Sequence, residues 1–138
     1  MSDVTITRAD LDRDGYYADS ESLAVDGNLT IEAGLGYVRF RAGVAVKGSI
    51  WAKAGSGIEA GSGIQAGRGI EAGSGIKAGW GIEAGSGITC GAVLSARFSI
   101  YAGVVTWRKA EDEDRIIRAK RVKGTVGLGT VELIGGDE

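Results

Sequence analysis

From Ala52 onward an apolar residue returns every six positions: the chain reads AKAGSG, IEAGSG, IQAGRG, IEAGSG, IKAGWG, IEAGSG, ITCGAV, and the phase carries on through Leu94 and Ile100. Within each unit, Ile and the Ala two residues later share a parity. In an extended strand they point to one side and the residue between them to the other. Ile and Ala are therefore the expected core. The intervening column, Lys47, Lys53, Glu59, Gln65, Glu71, Lys77, Glu83 and Thr89, is polar throughout, as a solvent face should be. Each unit predicts one short strand. Gly at the third residue after Ile, and again just before the next Ile, is expected to turn corners at backbone angles that other residues resist. Val46 lies one step upstream in the same phase, and the segment around Tyr37 inserts three residues before Val25 and Ile31 rejoin the pattern. The periodicity predicts a solenoid beginning near Leu23 with an irregular early coil.

One such unit cannot bury its own core face, so units must stack as coils. Charge decides how many units close a coil. Three units give a triangular, 18-residue turn that sets Lys53 over Glu71 and Glu59 over Lys77. Two units give a flatter 12-residue turn that stacks Glu59, Glu71 and Glu83 as like charges about 4.8 Å apart. The triangle also places Trp80 over Phe98 along one edge, where a ring pair would contribute about 0.5–1.5 kcal/mol. The expected fold class is all-β: a parallel β-solenoid, three-sided with about 18 residues per coil in preference to a two-sided 12-residue coil. It forms a single domain over 1–138, with an irregular N-terminal cap over 1–22, the solenoid over 23–106 and charged C-terminal cap strands over 107–138.

The Gly-x-Gly-Ile-x-Ala array resembles the hexapeptide-repeat parallel β-helix and, more loosely, bacterial and phage β-solenoid proteins, over about two thirds of the chain. In the hexapeptide acyltransferases a small residue sits two before the aliphatic one. Here that slot holds Ser56, Ser62, Arg68, Ser74, Trp80 and Ser86, and Arg and Trp suit an outward corner better than a core. The coil handedness typical of that family is therefore not carried over. The resemblance also implies a catalytic His or a set of metal-binding His residues, as in its acyltransferase and carbonic anhydrase members, and the chain has no His at all.

That absence removes Ser-His and Cys-His nucleophile pairs, the common zinc sites and the most frequent general base together. The glycine spacing is not that of a nucleotide loop, and no Gly-Lys-Ser/Thr follows it. Cys90 occupies an Ala column and reads as a small core residue; as the single cysteine it forms no internal disulfide, which suits a reducing compartment. A non-enzymatic protein is expected. With 43% hydrophobic residues among 138, the chain can build one core, and its 25 Gly without Pro do not fall at every third position as collagen requires. The net charge of −2 gives no bulk reason to bind nucleic acid or an anionic membrane. The start of the chain lacks a basic stretch followed by an apolar one, and no apolar run approaches the ~20 residues of a membrane helix. The expectation is a cytoplasmic protein, in a bacterium or in an infected host cell if phage-encoded.

Two further features carry chemistry. Asp10, Asp12, Asp14, the Tyr16 carbonyl and Glu21 match the spacing D-x-D-x-D-G with Glu following, a candidate calcium loop, although no amphipathic helix flanks it; the alternative is an acidic turn leading into the first coil. No other cofactor is expected. Toward the C-terminus an acidic stretch from Glu111 to Asp114 precedes Arg115, Arg118, Lys120, Arg121 and Lys123. These read as a charged cap against end-to-end polymerisation or as a basic patch for an acidic partner.

Mixed charge in the outward column sets aside an ice-binding face, which resembles ranks of Thr. The charged end argues against a filament of the bactofilin-like kind, though self-association stays open. The remaining class is a rigid interaction module for a protein partner. Its candidate contacts are Trp51, Arg68, Trp80, Phe98, Tyr101 and the basic residues Arg115, Arg118, Lys120 and Arg121, since aromatic and Arg residues are the usual interface anchors. Resemblance to phage solenoids implies a protein that blocks a host factor, in the manner of an anti-CRISPR that mimics or occludes a nucleic-acid surface; mimicry needs Glu59, Glu71 and Glu83 aligned. A designed or consensus repeat would show the same near-identical units.

Overall fold

The computed structural model describes residues 3–18, 21–103 and 116–133, and shows a parallel β-solenoid whose chain passes through three faces in rotation. The first face stacks β1 (Val4–Ile6), β3 (Leu29–Ile31), β6 (Ile50–Ala52), β9 (Ile70–Ala72), β12 (Ile88–Cys90), β14 (Ile116–Ala119) and β16 (Thr130–Leu133). The second stacks β4 (Gly36–Phe40), β7 (Ser56–Ala60), β10 (Ile76–Ala78) and the first half of β13 (Val93–Ala102). The third stacks β2 (Leu23–Val25), β5 (Val44–Val46), β8 (Ile64–Ala66), β11 (Ile82–Ala84) and the second half of β13. β13 therefore turns the corner between two faces as one strand, and β15 (Arg121–Leu128) runs parallel to both of its halves.

The register establishes the triangle. Ile58 pairs with Ile76 and Ile76 with Leu94, and likewise Ile64 with Ile82 and Ile82 with Ile100, each step 18 residues. The array isoleucines and the alanines two residues on form a continuous core, with Ile58, Ile76, Ile88 and Ala84 wholly buried. Cys90 lies in the same column and is fully buried.

Upstream of Gly55 the phase differs from the expected one. Strands begin at Val44 and Ile50, not at Val46 and Ala52, because burying Ile50 with Ala52 removes more apolar surface from water than burying Ala52 with Ala54. Lys47 and Lys53 consequently fall outside the strands. Trp51, not Lys53, stands beside Glu71, so only one of the two expected charge pairs forms a register neighbour, Glu59 beside Lys77. Lys53 and Ala54 belong to a two-residue insertion that lengthens the Ile50-to-Ile70 step to 20 residues.

The glycines also serve a different purpose from the expected one. Left-handed backbone occurs in the insertions, at Gly34 (φ 75°), Gly36 (φ 72°) and Gly55 (φ 79°), and at Gly103 (φ 94°) where the array ends, whereas Gly61, Gly67, Gly73, Gly79 and Gly85 within the array keep negative φ. Those are glycine because coils touch there: a Cβ on Gly79 would sit 2.1 Å from the Gly61 carbonyl oxygen. Buried Ser56 pins the two insertions together, its hydroxyl donating to the Glu32 carbonyl and accepting the Leu35 N–H at 3.1 Å.

Coil stacking starts earlier than Leu23. β1 pairs with β3 and buries Ile6, and Tyr16 bridges to Arg39 of β4, so the N-terminal segment is itself an incomplete coil. At the other end β14, β15 and β16 continue the same ladder.

Candidate functional site

Each three-residue strand offers one outward side chain at its centre, and the longer strands keep that register, so each face carries one column. On the first face it reads Thr5, Thr30, Trp51, Glu71, Thr89, Arg118, Glu132. On the second it reads Arg39, Glu59, Lys77, Ser95, Lys123, with an Arg39–Glu59 ion pair at 3.3 Å. On the third it reads Ala24, Ala45, Gln65, Glu83, Tyr101. The third face is low at its start, where its first two outward residues are exposed alanines. Two shallow troughs, of about 700 and 650 Å³, flank this column and share Ala24, Ala45, Gln65 and Glu83.

The second trough ends against Trp80, Phe98 and Tyr101. Trp80 and Phe98 occupy successive coils at the corner between the second and third faces, joined by the Phe98 N–H donating to the Trp80 carbonyl at 2.8 Å. Tyr101 follows on the third face beside Glu83. The three are 63%, 56% and 41% exposed. The expected ring pair between Trp80 and Phe98 is not made, because both rings remain largely in solvent; among the described residues the aromatic pair is Tyr17 with Phe40, centroids 5.4 Å apart.

The remaining candidate contacts scatter. Trp51 stands on the first face with the Lys53 ammonium 5.1 Å from its ring centroid, and Arg118 stands farther along that face, paired with Glu132 at 3.1 Å. Arg68 lies between β8 and β9, at the corner of the third and first faces. Lys120 and Arg121 sit where β14 hands over to β15, both exposed. Arg115 lies outside the described residues, as do Trp107 and the acidic stretch from Glu111 to Asp114. Glu59, Glu71 and Glu83 occupy three different faces and form no common stripe.

The acidic loop is organised by its own backbone. Asp10 accepts the Thr7 N–H at 2.8 Å, closing the short 3-10 turn Arg8–Asp10. Asp12 accepts the N–H groups of Asp14 (2.9 Å) and Tyr16 (3.0 Å) and faces the Arg41 guanidinium at 3.6 Å. The Tyr16 carbonyl accepts the Asp12 N–H at 2.9 Å. The Tyr16 N–H, with that of Asp14 and the Arg41 charge, holds the Asp12 carboxyl below its ordinary value. Among the described residues, no three acidic, His or Cys side chains converge on a point suited to a metal ion, so Asp10, Asp12, Asp14 and Glu21 are not gathered into a ligand set.

Burial pushes the Cys90 thiol up, which disfavours the nucleophilic thiolate. Burial likewise raises the Tyr37 phenol, with Cys90 and Glu59 adding to the effect. The Tyr37 ring lies across Gly57 and Gly75 of the next two coils, and a Cβ on Gly75 would meet its hydroxyl at 2.1 Å.

Ala24 and Ala45, which keep the third face low at its start, were hidden at the sequence level by the two-residue phase shift; only with Val44 assigned inward does Ala45 become an outward residue. Glu83 was legible as an outward residue but nothing in the repeat distinguished it from Glu59 or Glu71. Among the described residues, no helix is long and apolar enough to cross a membrane. Comparison of the chain with protein-family models, with curated proteins and with solved structures finds no match.

Proposed function

We propose that this protein is a non-enzymatic, rigid protein-interaction module that engages its partner through the third face and its aromatic corner. The observation that carries the reading is the exposure of Trp80, Phe98 and Tyr101 on adjacent coils around one trough. Large aromatic side chains held in solvent by a repetitive backbone lose little conformational freedom on binding, and such residues supply most interface energy. The flat floor of Ala24 and Ala45 lets a partner approach the sheet closely. A chain without His whose only thiol is buried has little with which to transform what it binds, and this supports a partner that is occupied or occluded, not converted. Occlusion of a host factor, as the resemblance to phage solenoids implies, fits this mode better than acidic mimicry, because the three glutamates that mimicry requires diverge onto three faces.

Affinity capture with the intact protein and its Trp80→Ala variant as paired baits tests the reading, followed by calorimetry on the reconstituted complex. The expected result is a partner retained by the wild type whose affinity falls about 30-fold or more in the variant, the behaviour of an interface anchor. A partner bound equally by both baits contradicts it.

A further inference from the structure

Among the described residues, some aromatic rings already hold a cation and others do not. Tyr16 lies under the Arg41 guanidinium at 4.1 Å, Trp51 under Lys53 at 5.1 Å, Tyr37 under Lys77 at 5.2 Å and Phe98 under Arg97 at 5.6 Å. Trp80 and Tyr101 have no such partner among the described residues, although both are exposed. The side chain of Glu83, the register neighbour of Tyr101, makes no ion pair or hydrogen bond among the described residues. These three side chains line the same trough, and its lining contains no Lys or Arg. An open aromatic pocket with one uncompensated carboxylate complements a positive charge: the ring faces attract a cation through their quadrupoles, and the carboxylate supplies the counter-charge and the hydrogen-bond acceptor.

We propose that this corner recognises an exposed Arg or Lys side chain on a segment of the partner protein, seated between Trp80 and Tyr101 with Glu83 as its counter-ion. The assignment rests on the reading of the third face as the docking surface and names the chemistry of what docks there. Arg fits better than Lys, because its planar guanidinium stacks on an aromatic ring and bonds a carboxylate at the same time. At this corner Arg97 already covers Phe98, and the charge for Trp80 and Tyr101 comes from outside.

The test is a titration of the full-length, isotopically labelled protein with the peptide acetyl-Gly-Arg-Gly-Arg-Gly-amide, read at the Trp80 indole N–H resonance. The isosteric citrulline peptide and tetramethylammonium serve as comparisons. The expected result is a saturable Trp80 shift with the arginine peptide, about tenfold weaker binding of the citrulline peptide, and about tenfold weaker binding of the arginine peptide to Glu83→Gln. Glu71→Gln, on the first face, is expected to behave as wild type. Equal binding of both peptides at Trp80, with Glu83→Gln silent, overturns the cation assignment while leaving the docking face intact. Saturation by tetramethylammonium with no response to the arginine peptide overturns it in favour of a small quaternary ammonium ligand. Absence of any saturable shift at Trp80, together with partner binding that survives Trp80→Ala, overturns both this assignment and the docking face.

Discussion

A methyl group added at Gly85 would meet the Gly67 carbonyl oxygen at 2.0 Å, while one added at Gly63 would find its nearest neighbour at 3.5 Å, an ordinary contact. Two glycines of one array are thus not equivalent, and substitution separates them. Gly85→Ala forces two coils apart and is expected to cost about 1–3 kcal/mol or more. Gly63→Ala is expected to be neutral or stabilising by up to about 1 kcal/mol, because it restricts the unfolded chain at no steric cost. Urea unfolding midpoints of the two variants check this; equal losses would return the glycines to the role of corner formers. Cys90 gives a second residue-level expectation. Buried in the core, it should resist a thiol reagent until the protein unfolds. Its folded pKa is raised by burial, so the unfolded chain ionises first as pH climbs. The contribution of Cys90 to stability is therefore complete below the unfolded thiol value of about 8.5 and is lost as pH rises toward the folded value. Alkaline stability curves should be flatter in Cys90→Ala than in wild type; identical curves would contradict the shift.

At the scale of elements, each strand is three residues long through most of the array and is held by neighbours above and below, not by its own propensity. Ile82 sits wholly inside such a stack between Ile64 and Ile100, and Ile82→Ala is expected to cost about 2–5 kcal/mol by chemical denaturation. Ser56→Ala removes the hydroxyl that answers the partly buried Leu35 N–H and should cost about 0.5–1.5 kcal/mol, concentrated at the insertions in amide exchange. Strands from Ile58 to Ile100 were legible in the sequence because Ile and Ala of like parity admit one phase. The stretch from Val44 to Ala54 admitted two, since Val44, Val46, Ile50, Ala52 and Ala54 are all apolar at one parity; volume, which periodicity does not weigh, decided between them. The long β13, which carries Phe98 and Tyr101 across a corner without a break, was invisible for the related reason that its residues contain no glycine interruption to mark where one face ends.

For the whole molecule, the triangular cross-section determines which outward residues become neighbours. Trp80, Phe98 and Tyr101 were each legible as large residues in slots that are otherwise small or polar, but their convergence depends on the 18-residue step, as does the dispersal of Trp51 and Arg118 onto another face. The charge argument reached the triangle even though the Lys53–Glu71 pair does not form; Glu59 beside Lys77 was sufficient. Pairwise crosslinking in a Cys90→Ala background tests this geometry most directly. Register neighbours in a parallel sheet lie about 4.8 Å apart, within disulfide reach. Under oxidation, Glu59→Cys with Lys77→Cys is expected to crosslink within the monomer, and Glu59→Cys with Glu71→Cys is not, because those positions lie on different faces. The opposite pattern would mean a 12-residue coil, with Glu59, Glu71 and Glu83 on one stripe and the aromatic corner dispersed.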